Sequence, residues 1–147
     1  MLQKPTVLIV DDSPMMCRFL GLFLEKKFEV ISYTDSVEAL SFIKEGFSSD
    51  LIITDLNMPG MDGYELIKAL RQALPVVPIL VVSGAKESNE RIKALQVGGN
   101  DFLMKPFHPA ELDVRVSKLI EKSTLVEQKS QTLKHLFNEL KNIATFL

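Results

Sequence analysis

Four short apolar runs in this chain each end on a side chain able to handle a phosphate or a metal ion. Val7-Leu8-Ile9-Val10 is followed by Asp11-Asp12, Leu51-Ile52-Ile53-Thr54 by Asp55, Ile79-Leu80-Val81-Val82 by Ser83, and Phe102-Leu103-Met104 by Lys105-Pro106. Between the runs the sequence switches to a helical period, and this alternation is the mark of a parallel sheet covered by helices. Parallel strands finish at one common edge. Three carboxylates, a hydroxyl and an ammonium would therefore meet beyond the carboxyl ends of the strands, where open α/β sheets bind ligands.

The intervening segments carry their own punctuation. Ser13-Pro14 reads as a helix N-cap with proline in the first turn, and Met16, Phe19, Leu20, Phe23 and Leu24 then recur at helical spacing. Phe28 to Tyr33 reads as the second strand. Asp35 or Ser36 caps a helix carrying Val37, Leu40 and Ile43, and Gly46 lies past its end, where a left-handed cap favours glycine. Asn57 to Gly63 holds a proline and two glycines and is predicted to be a loop. Helices are predicted from about Tyr64 to Ala73 and from about Glu87 to Val97, the second ended by Gly98-Gly99. The fifth strand, near Asp101 to Met104, leads through Lys105-Pro106-Phe107 to a helix starting near Pro109. Five strands and five helices fill residues 5 to about 120, so the predicted organisation is one α/β domain over 1–120 and a helical extension over 121–147.

In that extension Leu119, Val126, Leu133, Leu140 and Leu147 recur every seven residues, as one seam position of a coiled coil does. The other seam position holds Lys122 and Lys129 before it turns apolar at Leu136 and Ile143, and Phe137 and Ala144 widen the stripe. A wide stripe suits a helical bundle. One helix cannot bury this face on itself, so the tail is expected to form a homodimer, the alternative being that it folds back on its own domain. The face is still apolar at Ala144-Thr145-Phe146-Leu147, which reads as a linker toward an output domain in a longer protein.

Composition narrows the partners. The formal net charge of -2 gives no general attraction to nucleic acid or anionic membrane. No apolar run approaches the ~20 residues of a membrane span, and the start lacks a signal peptide's apolar region. Cys17 is the one cysteine, so no intrachain disulfide is possible, and its apolar helical setting predicts a buried structural thiol. A cytoplasmic protein is expected.

Asp11, Asp12 and Asp55 crowded at one edge would repel one another unless a cation or a proton intervenes. A hard divalent ion such as Mg²⁺ resolves this, because it takes carboxylates, a carbonyl, waters and a phosphoryl oxygen together. Lys105 adds a mobile point charge for an incoming phosphoryl group, and Ser83 a hydroxyl donor. Such a set is equipped to transfer a phosphoryl group onto a carboxylate.

These residues resemble the receiver domain of two-component response regulators. The resemblance rests on Val7-Leu8-Ile9-Val10-Asp11-Asp12-Ser13, on Asp55-Leu56-Asn57-Met58-Pro59-Gly60-Met61-Asp62-Gly63, on Ser83-Gly84-Ala85 and on Gly98-Gly99-Asn100-Asp101-Phe102-Leu103-Met104-Lys105-Pro106-Phe107. It covers essentially all of residues 5 to 120. It implies a flavodoxin-like (βα)5 fold with strand order 2-1-3-4-5 and a signalling switch, rather than an enzyme, that assists its own phosphorylation and dephosphorylation. Asp55 matches the phosphoacceptor, which takes its phosphoryl group from a sensor histidine kinase or phosphotransfer protein. Asp12 and Asp55 would ligate Mg²⁺ (or Mn²⁺) directly, with the backbone carbonyl of Asn57 as a third ligand and Asp11 acting through water. Ser83 and Lys105 would contact the phosphoryl group, and the Lys105-Pro106 bond is expected to be cis. Ser83 and Phe102 match the switch pair, which would pass the change to the face formed by the fourth helix, fifth strand and fifth helix, and onward to the tail. Phenylalanine keeps the steric part of that switch without a tyrosine's hydroxyl.

Other residues have plainer readings. Asp62 and Asp101 are expected in loop or capping roles, Gly60 and Gly63 in turns, His108 as a cap or surface residue, and Met15-Met16 as helix surface and core. Phe137-Asn138-Glu139-Leu140-Lys141-Asn142 faintly resembles the phosphoacceptor box of histidine kinases, but Asn138 stands at the histidine's place and His135 lies three residues away. A dimerising helix without that chemistry is the expectation. Three other functions compete with the switch: a phosphatase using an aspartyl nucleophile, a flavin- or nucleotide-binding module, and a pseudo-receiver that serves only as an interaction module. The first would place two aspartates two residues apart after the first strand, against Asp11-Asp12-Ser13 here. The second wants a phosphate loop rich in glycine and hydroxyls, where this loop is acidic.

Overall fold

The computed structural model describes residues 3–84 and 86–147. Met1, Leu2 and Ala85, the last residue of the Ser83-Gly84-Ala85 signature, lie outside the described residues. Strands β1 (Thr6–Val10), β2 (Glu29–Tyr33), β3 (Leu51–Thr54), β4 (Ile79–Ser83) and β5 (Asp101–Met104) alternate with helices α1 (Pro14–Leu24), α2 (Ser36–Lys44), α3 (Gly63–Ala73), α4 (Ser88–Gln96) and α5 (Pro109–Thr145). All pairings are parallel and the strand order is β2-β1-β3-β4-β5, as the resemblance implies. The chain order reverses direction across β1 and β3, and a switch of this kind opens a crevice at the carboxyl edge.

Because successive strand residues face opposite sides, each apolar run feeds two cores. Leu8, Val10, Ile52, Val81 and Phe102 pack under α2, α3 and α4, while Val7, Ile9, Ile53, Leu80 and Leu103 pack under α1 and α5. Both faces of the sheet are thus covered, which explains the lack of polar alternation in the runs.

Helix starts follow the sequence signals. Ser13 Oγ accepts from Met16 N, Asp35 caps α2, and Asp62 makes a full capping box with Glu65. The helical period of α1 is displaced from the one its phenylalanines suggest: Cys17, Leu20 and Leu24 are buried, whereas Phe19 and Phe23 are exposed and pack edge-to-face on each other. Val37 is likewise exposed on α2.

The fifth helix runs unbroken for 37 residues, through the position where the domain was expected to end. Its first turns bury Leu112 and Val116 against the second core, with Leu119 and Ile120 partly covered. Every residue from Thr124 to Leu147 is exposed, so in this structure the tail does not fold back on its own domain.

Candidate phosphoacceptor and metal site

Strand register brings the acidic residues together. Val10 pairs with Tyr33 on one side and Thr54 on the other, so the residues that follow, Asp11 and Asp55, emerge side by side. The ladder continues one step beyond each strand: Asp11 N donates to Tyr33 O at 3.2 Å, Asp55 N to Val10 O at 3.1 Å, and Lys105 N to Ser83 O at 2.9 Å. Backbone pairing, rather than loop conformation, therefore fixes where Asp11, Asp55 and Lys105 start.

Carboxylate oxygens of Asp11, Asp12 and Asp55 lie within 4.8 Å of one another. Asp11 is buried, Asp55 partly buried and Asp12 exposed, giving the cluster a closed side and an open mouth. Lys105 Nζ sits 2.9 Å from Asp11 Oδ2 and 3.3 Å from Asp55 Oδ2. Burial works against the Lys105 charge, but the hydrogen bond to Asp11 and the Asp55 and Asp11 charges outweigh it, and its pKa is held above the ordinary lysine value.

Asp11 and Asp55 each have one oxygen held by a backbone N–H. Asp11 Oδ1 accepts from Ser13 N at 2.9 Å, and Asp55 Oδ1 from Leu56 N at 2.7 Å. Three carboxylates against one ammonium leave two uncompensated negative charges, a donor set that fits a hard divalent cation. Asp11, Asp12 and Asp55 are the carboxylates that could hold it. Asn57 lies two residues past Asp55 on the exposed side of the same loop.

Ser83 ends β4 with its side chain wholly buried, beside the strand that leads to Lys105. Phe102 is also buried, in the first core, and it forms one wall of a cavity of about 370 Å³ shared with Arg91, Met104, Pro106, Glu111 and Arg115. That cavity lies on the α4-β5-α5 face. Phe102 is therefore the element common to the core behind the site and to that outer face. The Lys105-Pro106 bond is cis.

The plainer readings can be placed as well. Asp62 is the α3 cap, and His108 Nδ1 accepts from Ala110 N at the start of α5. Met15 is exposed and Met16 packs on the second core. His135 makes an exposed contact with Glu139, 3.2 Å away and one turn on. Gly60 adopts φ 75, as a turn glycine does. Gly63 is different: it has no left-handed backbone, but a Cβ there would lie 2.1 Å from the carbonyl oxygen of Asp55. Its role is close approach of α3 to the segment carrying Asp55, and no local sequence signal marks such a contact.

Two further contacts were not legible. Both carboxylate oxygens of Asp101 accept from one nitrogen, Arg115 Nη1, at 2.8 Å each, and the Arg115 pKa is raised chiefly by that contact. Cys17 Sγ donates to the backbone oxygen of Asp11 at 3.3 Å, and burial followed by the Asp11 charge pushes its thiol pKa up. A buried thiol was expected at Cys17, though not one placed against the acidic site.

The profile of the response regulator receiver domain matches residues 7–117. Alkaline phosphatase synthesis transcriptional regulatory protein PhoP of Bacillus subtilis is 33% identical over 126 residues, covering 85% of this chain and 52% of that protein. Hybrid signal transduction histidine kinase D of Dictyostelium discoideum is 38% identical over 146 residues, covering 93% of this chain but 9% of that protein. The chain thus spans about half, or much less, of the curated relatives it matches. Among solved structures, the receiver domain of Francisella response regulator 1452 superimposes with TM-score 0.75 at 32% identity, over 82% of this chain and 99% of that one. A response regulator from Chloroflexus aurantiacus gives 0.76 at 35% identity, over 81% and 99%. No described helix is long and apolar enough to cross a membrane. With the profile covering more than half of the chain and the acidic edge intact, this chain belongs to the response regulator receiver domains, the phosphorylation-activated switches of two-component signalling.

Proposed function

We propose that Asp55 is the phosphoacceptor and that Asp11, Asp12, Lys105 and Ser83 serve its phosphorylation. The observation that carries this reading is the convergence of three carboxylates and one ammonium on a single sheet edge, with Lys105 Nζ between Asp11 and Asp55. An Asp55 carboxylate oxygen attacks the phosphorus of a phosphohistidine on a partner kinase or phosphotransfer protein. A P–O bond forms, the P–N bond breaks, and the leaving imidazole takes up a proton. Asp12 and Asp55 would hold Mg²⁺ (or Mn²⁺) directly, with Asn57 O as a third ligand and Asp11 acting through water, and the ion would supply charge neutralisation for the transferring group.

This chain's residues do the rest. Asp11, buried and anchored by Ser13 N, keeps Lys105 beside the acceptor. Lys105 supplies a positive charge for the phosphoryl oxygens, and Ser83 a hydroxyl at the end of the adjacent strand. Hydrolysis of the acyl phosphate by water at the open mouth beside Asp12 would reset the switch. A change of packing at Ser83 and Phe102 would reach the α4-β5-α5 face and, since α5 is continuous, the tail, through which two copies self-associate. A cytoplasmic location fits a partner kinase that works there.

The test is intact-mass measurement after incubation with a small-molecule phosphodonor and Mg²⁺. The unsubstituted protein is expected to gain one phosphate, labile at alkaline pH, and Asp55→Asn none. No labelling of the unsubstituted protein, or equal labelling of both, would refute the assignment.

A further inference from the structure

Thr54 closes β3, the middle strand of the sheet, and its side chain is wholly buried. It pairs with Val10 on one side and Val81 on the other, both members of the first core, where a valine would fill the same space. A hydroxyl at such a place costs stability unless it is hydrogen-bonded. Thr54 Oγ1 donates to the backbone oxygen of the next residue, Asp55, at 2.9 Å. We infer that Thr54 is a positioning residue for phosphorylation: through the peptide between Asp55 and Leu56, it sets how the acceptor carboxylate is turned. The inference rests on Asp55 as the phosphoacceptor proposed above and adds a residue outside that set.

The Asp55–Leu56 peptide is the link. Its C=O belongs to Asp55 and its N–H to Leu56, and because the unit is planar the two turn together. Leu56 N donates to Asp55 Oδ1 at 2.7 Å, so the N–H is aimed back at the acceptor's own carboxylate. Thr54 holds the other end of the same plane. Gly63 confines it from a second direction, since a Cβ there would lie 2.1 Å from the Asp55 oxygen. With Oδ1 engaged, the carboxylate presents Oδ2 to Lys105 Nζ, 3.3 Å away.

Strand pairing alone does not settle this rotation. The bond from Asp55 N to Val10 O fixes where the residue starts, but the peptide that follows lies beyond that ladder bond. Shape alone does not settle it either, because valine in place of Thr54 keeps the packing and removes the donor. The Asp55 oxygen then loses its bond to Thr54, the plane is freer to turn, and Oδ2 faces Lys105 for less of the time. A reacting group displaced by about 1 Å can lose on the order of a hundredfold in rate. Turning one peptide while the strand stays in place is a smaller change, and a loss of about tenfold is expected.

The test uses the whole chain. Labelling of the unsubstituted protein by a small-molecule phosphodonor with Mg²⁺, and none of Asp55→Asn, upholds the acceptor whatever Thr54 does. Against that baseline Thr54→Val is expected to be labelled about tenfold more slowly, and Thr54→Ser, which keeps the hydroxyl, within about twofold of the unsubstituted rate. Valine suits a buried strand, so the variant is expected to fold. Amide hydrogen exchange without metal or donor gives a second readout. In Thr54→Val the Leu56 amide is expected to exchange roughly two- to tenfold faster while those of Ile52 and Ile53 are unchanged, and Thr54→Ser is expected to restore it. An unchanged labelling rate in Thr54→Val, equal slowing in both variants, or faster exchange shared along all of β3 overturns the inference.

Discussion

Replacing Gly63 by alanine separates two physical expectations of opposite sign. Gly63 is the first residue of α3, and in a helix alanine is ordinarily better than glycine by about 0.5–1 kcal/mol. Packing says the reverse. The added Cβ would lie 2.1 Å from Asp55 O and 2.6 Å from Leu56 Cα, both backbone atoms that no rotamer change can move. Returning to an ordinary 3.4 Å contact with Asp55 O needs a separation of 3.4 − 2.1 = 1.3 Å between α3 and the end of β3. That movement strains the 2.9 Å bond from Gly63 N to Leu56 O and shifts the segment that positions Asp55.

Overpacking of this kind costs about 1–3 kcal/mol, toward the upper end where backbone must shift. Less the helical gain, the expected net destabilisation is about 2 kcal/mol, or roughly 4–8 °C in melting temperature for a chain of this size. Misplacement of the acceptor by about 1 Å is also expected to slow phosphorylation from a small-molecule donor on the order of a hundredfold. Two other glycines calibrate the measurement. Gly21→Ala, whose Cβ meets only Val30 Cγ1 at 3.9 Å within α1, is expected to stabilise by about 0.5–1 kcal/mol. Gly60→Ala has open space but φ 75, and is expected to cost about 1–2 kcal/mol through backbone strain alone. Thermal or urea unfolding of the three variants decides the matter. If Gly63→Ala is neutral or stabilising, the close approach does not constrain the loop and the reasoning fails.

Lys105→Ala, measured in urea with a chelator present, is expected to lose about 1–3 kcal/mol, because it strands Asp11, Asp12 and Asp55 without a counter-charge; an unchanged midpoint would show the pair to be worthless for stability. Since the Lys105 pKa is raised on folding, its contribution is fully present below the unfolded value, about 10.5, and is lost as pH rises through the higher folded value. A urea titration from pH 8 upward should therefore show an alkaline decline that is smaller in Lys105→Ala. Arg71 donates to the carbonyl oxygens of Leu74, Val77 and Gly98 and to Asn100 Oδ1, tying α3 to the loop before β5, so Arg71→Leu is expected to cost about 2–4 kcal/mol by chemical denaturation. Cys17, whose thiol pKa is raised by burial and by Asp11, should react with a disulfide reagent at pH 8 only as fast as the domain opens; rapid stoichiometric reaction of the folded protein would contradict its placement.

How far these features could be read from sequence depends on the distance over which each is determined. The sheet and its acidic edge were legible because Asp11, Asp55 and Lys105 are attached directly to strand ends, and one more backbone bond past each strand fixes them. Caps at Ser13, Asp35 and Asp62 were legible for the same local reason. The α1 surface was not: Met16, Phe19, Leu20, Phe23 and Leu24 fit a helical stripe as well as Cys17, Leu20 and Leu24 do. Only the position of the sheet beneath decides that the phenylalanines face outward. Gly63 and the Asp101–Arg115 pair escaped because each is a contact between segments that no single stretch of sequence contains.

Phe102 shows where local reading and tertiary placement have to be joined. Its run marks it as strand, and its resemblance marks it as a switch, yet neither says on which side of the surface its ring sits. The structure puts the ring in the core beside Val81 and Ala94 while leaving one edge on the cavity bounded by Arg91 and Arg115. A phenyl ring has no hydroxyl to gain from water, so moving it outward exposes apolar surface without a compensating hydrogen bond, and the inward position is favoured by burial alone. Phe102 lies opposite Val81 in the ladder, two residues before Ser83 on the same strand, so the aromatic's backbone position is tied through β4 to the strand edge that carries the charge.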